Sequence, residues 1–389
     1  MTRTSEPGPL SGFVILDLSR VLSGPYCTMI LHDLGATVVK VEHPEGGDEA
    51  RQFLPFIDGK SAYFAAINRG KKSIALDLNA AADRSVFEQL LARADVLVEN
   101  FRPGAMDKLG YGWSALQSAY PQLVFASISG FGQDGPYRNR GAYDLVVQAM
   151  SGMMSITGHP EAPPTRAGTS IGDLAASVFA ATGIQAALLQ RSRTGTGCRV
   201  DISMLDCQIA LLESAIARFA ATGVAPGPLG ARHSGTAAFD AFKAADGYLV
   251  ITAGGDELFR RLMRELGRPE LCSDARFAER AARVTHQAEL KTIIESCLAA
   301  APVAQWLVRF ERAGVPAGPI NDIAAMVNDE HVRYRGVLAP IESAGEVRFA
   351  NTPVLMSTRA YPTVLPPAPQ LDEHRAEILC FAQGQAPLS

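Results

Sequence analysis

Between residues 12 and 130, short β-branched runs alternate with helical stretches, a rhythm that leaves few folds open. The strand candidates are Phe13 to Leu18, Thr37 to Val41, Ser73 to Leu76, Val96 to Val98 and Leu123 to Ser129. Gly24 to Leu34, Ala80 to Arg93 and Trp113 to Ala119 read as helices between them. Strands joined by helix-length crossovers form βαβ units, which make the strands parallel. The expected fold class is therefore α/β, with a Rossmann-like parallel sheet as the large domain.

Residues 141–224 turn helical and rich in small residues, with Ala175, Ala176, Ala180, Ala181, Gly183, Ala186 and Ala187 permitting close helix contacts. The Gly/Pro segment Gly223 to Gly230 then breaks the pattern. Ala237 to Lys243 and Tyr248 to Thr252 flank Asp246-Gly247, a hairpin signal, and helical stretches follow at 256–266, 286–300 and 302–313. This predicts a smaller α+β domain over 233–325. The first part of the large domain occupies 1–205, linkers span 206–232 and 326–345, and a returning segment, 346–389, completes the large domain. Within that segment Arg348 to Val354 reads as a strand and Pro362 to Pro369 as a proline-rich strap before a short terminal helix.

Thirty-six Lys plus Arg against 40 Asp plus Glu leave a net charge of -4, which argues against nucleic acid as a partner. An anionic ligand therefore needs a local basic pocket. With 47% hydrophobic and 20% charged residues, the 389-residue chain reads as globular, with enough sequence for a core without disulfide or metal staples. Its cysteines (Cys27, Cys198, Cys207, Cys272, Cys297, Cys380) show no CxxC pair and no His spaced for a zinc site. They read as buried thiols of a reducing cytoplasm. Arg3 is followed by Glu6, and Asp17 interrupts the stretch Phe13 to Leu18, so no signal-peptide core is expected. The uncharged run Leu174 to Gln190 falls short of the ~20 apolar residues of a membrane span and is expected to be a buried helix.

No GxGxxG follows the first strand, and GxxxxGK[ST], HExxH and GxSxG are absent, which removes the main support for nicotinamide, P-loop, zinc-protease and serine-hydrolase readings. Other segments are informative in combination. They are Leu18-Ser-Arg-Val-Leu-Ser-Gly-Pro25, Asn68-Arg-Gly-Lys-Lys-Ser-Ile-Ala-Leu-Asp77, Val96-Leu-Val-Glu-Asn-Phe-Arg-Pro-Gly104, Ser127-Ile-Ser-Gly-Phe-Gly-Gln-Asp-Gly-Pro136, Gly168-Thr-Ser-Ile-Gly-Asp-Leu174, Gly197-Cys-Arg-Val-Asp-Ile-Ser203, Ala241-Phe-Lys-Ala-Ala-Asp-Gly-Tyr248, Ala253-Gly-Gly-Asp256 and Ala313-Gly-Val-Pro-Ala-Gly-Pro319. In this order and spacing, from about residue 12 to 380, they resemble the class III CoA-transferases. That family comprises formyl-CoA, carnitine and bile-acid CoA-transferases, and it also contains the α-methylacyl-CoA racemases.

The resemblance implies a nucleophilic aspartate in the Gly172-Asp173 pair at the start of a long helix. Taken locally, an Asp before an uncharged helix is an N-cap, and the two roles are compatible because a helix amino terminus favours the ionised carboxylate. Gly172 is expected to leave room for a thioester. Gly254-Gly255 matches the family's glycine loop, which aims backbone N–H groups at an oxyanion; its local reading is a plain β-turn. By the same resemblance Arg20, His43, Leu76, Asn79, Asn100, Phe101, Arg102 and Lys108 line the CoA cleft of the large domain, although Arg102 and Lys108 also read as solvated surface charges. CoA and acyl-CoA are then substrates, with no tightly bound cofactor.

Tyr143, counted with the CoA-site residues, separates two activities. The racemases carry a histidine at this place as a proton-transfer base, whereas a tyrosine, with an ordinary pKa of ~10, suits that task poorly. Transfer is favoured over racemisation, with a core aromatic as the local alternative. Leu22 stands where formyl-CoA/oxalate enzymes place glutamine and Phe53 where they place tryptophan, which argues against oxalate and towards succinyl-CoA-dependent enzymes acting on other dicarboxylates. Arg166, Arg232 and His233 are candidates for holding a second carboxylate. The resemblance also implies an interlaced homodimer. A non-catalytic CoA-binding protein would have no need of both Gly172-Asp173 and Gly254-Gly255.

Overall fold

A computed structural model describes residues 7–342 and 347–388. Arg3, Glu6 and the expected boundary at 345/346 lie outside the described residues. The chain divides into two compact units. One takes in the described residues up to Met154, Arg166–Val224 and Glu330 onward; the other takes in Ser155–Thr165 and Ala225–Asp329.

The first unit is built on six parallel strands: β1 (Val14–Asp17), β2 (Thr37–Glu42), β3 (Lys72–Ala75), β4 (Val96–Glu99), β5 (Val124–Ser129) and β6 (Arg199–Ser203). Their order across the sheet is β3-β2-β1-β4-β5-β6, all pairs parallel. Strands β4 and β5 are buried at every position, as sequences covered on both faces require. On one face Ile15, Val38, Val98 and Ala126 pack with α1 (Ser23–Asp33) and the residues that become α4. On the other, Leu16, Val39, Leu97 and Phe125 pack with Phe87, Leu90 and Leu91 of α2 (Ala81–Leu91) and with Ile378. Strand β6 was not expected. It interrupts the stretch anticipated as helical, and its Arg-Val-Asp-Ile-Ser sequence is half-buried at the sheet edge, so it lacks a continuous apolar run.

Helices α3 (Asp144–Ser151), α4 (Ile171–Thr194), α5 (Met204–Ala210) and α6 (Glu213–Thr222) follow. Helix α4 is long and apolar enough to cross a membrane by length and composition. Here Ala175, Ala176, Ala180, Ala181, Ile184 and Ala187 bury one face of it against the sheet, where the small side chains admit the backbone of α1, while Val178, Phe179 and Leu189 on the other face stay exposed, so the expected buried helix is buried on one side only. In the second unit β7 (Phe239–Lys243) and β8 (Tyr248–Thr252) pair antiparallel across the expected turn, and β9 (Ala317–Pro319) adds to β8. Helices α7 (Asp256–Glu265), α8 (Gln287–Leu298) and α9 (Val303–Ala313) enclose Phe242, Ile251, Phe259, Ile294, Trp306 and Phe310. Back in the first unit, β10 (Leu338–Pro340) and β11 (Arg348–Ala350) pair, and α10 (Arg375–Ala382) closes the chain. The expected strand over 348–354 is thus only its first three residues.

Candidate active site

Ligands of doubly wound sheets bind beyond the carboxyl ends of the strands, where the strand order reverses. That point here lies between β1 and β4. Two clefts open there. The first, about 470 Å³, is lined among others by Arg20, Leu22, Ser23, Asn100, Phe101, Arg102, Arg140, Tyr143 and Asp173. The second, about 440 Å³, is lined by Leu18, Arg20, His43, Leu76, Asn79, Phe101 and Lys108 among others. Arg20 and Phe101 line both and stack on each other at 5.2 Å. The nine large-domain residues singled out as CoA contacts therefore divide between two clefts, only one of which contains Asp173.

Asp173 stands in the first turn of α4 but is not its N-cap; that position is Ser170, whose side chain makes no capping bond. The cap comes from another helix. Buried Asp144, at the start of α3, accepts the Gly172 N–H at 2.8 Å through Oδ1 and the Gln148 side-chain amide at 2.7 Å through Oδ2. Gly172 is needed for this packing, because a Cβ there would lie 2.4 Å from Gln208 Nε2 and 3.0 Å from Asp144 Oδ1. Its space is filled by those side chains, so it does not serve as an approach for a thioester. Burial raises the Asp173 carboxyl to about 7, the neighbouring Asp144 carboxylate adds to the rise, and a hydrogen bond from Ser23 opposes it. The expected preference for the ionised form is therefore reversed in net effect, and the carboxyl is poised near neutrality.

The wall facing Asp173 is held by local bonds. Asn100 Oδ1 accepts the Arg20 N–H at 2.8 Å, and its Nδ2 donates to the Arg20 carbonyl at 2.7 Å and to Ser23 Oγ at 3.2 Å. Val21 takes a left-handed backbone with φ of 66°, costly for a β-branched residue, and its N–H donates to Asp48 at 3.0 Å. Ser177 Oγ lies 2.7 Å from the carbonyl oxygens of both Ser23 and Asp173, which share its single proton, tying α1 to α4. Tyr143 is 81% exposed, which excludes the core-aromatic reading. In the second cleft His43 Nδ1 accepts the Glu45 N–H at 3.1 Å, Asn79 bonds to Asp77, and Leu76 forms buried wall.

In the second unit Gly254-Gly255 joins β8 to α7, so the β-turn reading is replaced by a strand-to-helix connection. A Cβ on Gly254 would meet the Thr236 side chain at 2.4 Å, whereas one on Gly255 would meet nothing within 4 Å. Arg166 donates to its neighbour's carbonyl and is not among the residues lining the Asp173 cleft; His233 accepts the Gly235 N–H at 3.1 Å. All six cysteines are free, with Cys27 and Cys207 buried and the other four only partly so, against the expectation that all are buried. Among the described residues no cluster of three or more His, Cys, Asp or Glu is placed to hold a metal. Sequence reasoning gave no separate role to Ser23, Asp144 or Arg140. Ser23 fell inside the Leu18-to-Pro25 string and Asp144 stood next to Tyr143, but Arg140 carried no signal of its own.

Residues 10–375 match the model of CoA-transferase family III. An acetyl-CoA:oxalate CoA-transferase of Acetobacter aceti is 44% identical over 378 residues, covering 97% of this chain and 96% of that protein. A succinate–glutarate CoA-transferase of Agrobacterium fabrum is 38% identical over 95% of both chains. The crystal structure of a CAIB/BAIF family protein from Brucella suis superposes with a TM-score of 0.87 at 36% identity, covering 97% of this chain and 100% of that one. With the switch-point clefts and these matches in hand, the chain belongs to CoA-transferase family III, an α/β family of transferases.

Proposed function

We propose that this enzyme moves CoA from an acyl-CoA, such as succinyl-CoA, to a small carboxylic acid through covalent intermediates on Asp173. The observation that carries this is the placement of Asp173 at the strand-order reversal, in a cleft, with its carboxyl at about 7. The names of relatives include oxalate, glutarate and mesaconate, each an acid bearing two carboxylates, which supports dicarboxylate acceptors. In the reaction the ionised Asp173 attacks the thioester carbonyl and expels CoA thiolate, leaving a mixed anhydride. The thiolate attacks the aspartyl carbonyl and releases the donor acid, giving aspartyl-CoA thioester. The acceptor carboxylate then attacks that thioester, expelling thiolate and forming a second anhydride. Return of the thiolate to the acceptor's acyl carbonyl yields the new acyl-CoA and regenerates Asp173.

Ser23 orients the carboxylate, and the cleft walled by His43, Leu76, Asn79 and Lys108 offers cations and an apolar face suited to the nucleotide end of CoA. Gly254-Gly255, by the family pattern, supplies oxyanion donors. A Gly255→Val variant has room for its side chain within its own unit and is expected to lose on the order of 10²-fold in kcat while keeping CoA affinity. Racemisation is the second reading; Tyr143 at the cleft favours transfer.

Exposed Val178, Phe179 and Leu189 on α4, with Ile216 and Phe219 on α6, are apolar surface that supports a homodimer, and by the family pattern an interlaced one. Light scattering at micromolar concentration should return twice the chain mass. The free thiols fit a cytoplasmic setting. The deciding experiment for function is hydroxylamine added during turnover with succinyl-CoA and glutarate, followed by peptide mass spectrometry. Modification is expected at Asp173 in the active enzyme and absent in Asp173→Ala, whose transfer should be abolished with the fold kept. Transfer surviving in the purified variant refutes the mechanism.

A further inference from the structure

The Asp173 cleft holds more positive charge than the reacting groups account for. Three arginines line it: Arg20, Arg102 and Arg140. Arg20 is neutralised by Glu49 at 2.9 Å. Neither Arg102 nor Arg140 has a carboxylate partner among the described residues. Both residues border the loop leading to Tyr143. Arg102 Nη2 lies 3.4 Å from where a Cβ on Gly141 would stand, and Arg140 immediately precedes that glycine.

Arg140 is also pre-ordered. Its guanidinium stacks over the Tyr137 ring at 3.8 Å, and Tyr137 meets Phe131 edge-to-face at 5.7 Å. The start of the loop is pinned by the Gln133 N–H donating to Asp201 at 3.0 Å. A stacked guanidinium loses less freedom when it takes up an anion, and its fork suits a carboxylate. The family pattern groups Arg102 with the CoA contacts, yet it does not line the cleft that holds His43, Asn79 and Lys108.

We propose that Arg140, with Arg102 beside it, holds the distal carboxylate of a dicarboxylic acid or dicarboxylic acyl group while its other carboxyl reacts at Asp173. This rests on the CoA-transfer reading and supplies its substrate selection. A dicarboxylate brings a charge that the two guanidinium groups compensate, whereas a monocarboxylate of equal length leaves them facing an alkyl end.

The test compares wild type with Arg140→Gln, using acetyl-CoA and succinyl-CoA as donors and glutarate or butyrate as acceptor. The glutarate-to-butyrate ratio of kcat/KM is expected to fall by about 10- to 100-fold, the worth of a charge-assisted hydrogen bond, with the change mainly in KM. Arg140→Lys, which keeps the charge and loses the fork, should fall between. An equal loss for both acceptors, as expected if Arg140 instead served a CoA phosphate, overturns the proposal, and so does an unchanged ratio. Calorimetric titration with glutarate gives a readout independent of turnover. Weaker glutarate binding to Arg140→Gln upholds the subsite even in an enzyme that transfers no CoA, a result that would count against the transfer reading alone; unaltered glutarate binding refutes the subsite.

Discussion

Two groups of buried carboxylates lie within the same unit, and they behave in opposite ways. Beneath the loops that follow β1 and β2, Asp17 pairs with Lys71 at 2.9 Å and accepts from the hydroxyls of Ser19 and Thr28, Lys40 pairs with Asp48 at 2.9 Å, and Glu42 pairs with Arg51 at 2.7 Å. Burial alone would push each carboxyl up, but the cations and hydroxyls outweigh it and hold all three below the ordinary range. Asp173 is half-buried in its cleft without a cation. It has one hydroxyl from Ser23 and a second carboxylate nearby, and its carboxyl rises to about 7. Burial thus sets the cost in both places, and compensation decides whether the carboxyl stays ionised well below neutrality or is held near it.

The comparison breaks most visibly if a cation is removed from the paired group. Lys40→Met leaves Asp48 facing an alkyl chain, takes away the second cation near Asp17, and should destabilise the protein by ~3–5 kcal/mol in urea unfolding. A loss below about 1 kcal/mol would show that the network does not depend on its charges.

Relieving the uncompensated group should have the opposite sign. Asp173 binds its proton more tightly folded, near 7, than unfolded, near 3.8, so stability falls as pH rises between those values. Asp173→Asn removes that penalty. Its melting temperature should exceed that of the wild type at pH 8 by a few degrees, with the gain fading towards pH 4, a stability gain made at the expense of activity. In the wild type, kcat/KM should climb with pH through about 7 as the carboxylate forms. The paired carboxylates run the other way, since their depressed values mean that stability is lost as pH falls below the ordinary carboxylate range.

The smallest expected effect comes from the one hydroxyl that opposes the rise. Ser23→Ala should shift the acid limb of the rate profile upward and lower the plateau less than ~10-fold, because one neutral hydrogen bond is at stake. A downward shift would mean that Ser23 does not stabilise the ionised form.

How far these features were legible differs between the two regions. Strands β4 and β5 announced themselves because strands covered on both faces carry apolar, β-branched runs, and Asp173 was found because a family pattern carries it. Lys40 sits in β2 and Lys71 just before β3, yet a lysine reads as surface until its partner is known, and the partner of Lys71 is 54 residues away. Asp144 was invisible as a cap because its bond to Gly172 spans 28 residues. Arg140 lies among polar loop residues, and only the enclosing cleft sets it apart.

Among the described residues, the edge strand β3 has no strand on its outer side. Residues after the proline-rich strap serve instead: the His374 N–H donates to the Ser73 carbonyl at 3.0 Å, Asp372 accepts the Ala75 N–H at 2.8 Å, and Arg375 donates to the Ala75 carbonyl at 2.6 Å. Some 299 residues separate Ser73 from Asp372. At a synthesis rate of roughly 5–20 residues per second, the ribosome needs about 15–60 s to deliver the cover after the edge has emerged. During that interval the nascent chain presents an open sheet margin to every neighbour, so a product truncated ahead of Asp372 is left permanently in that adhesive state.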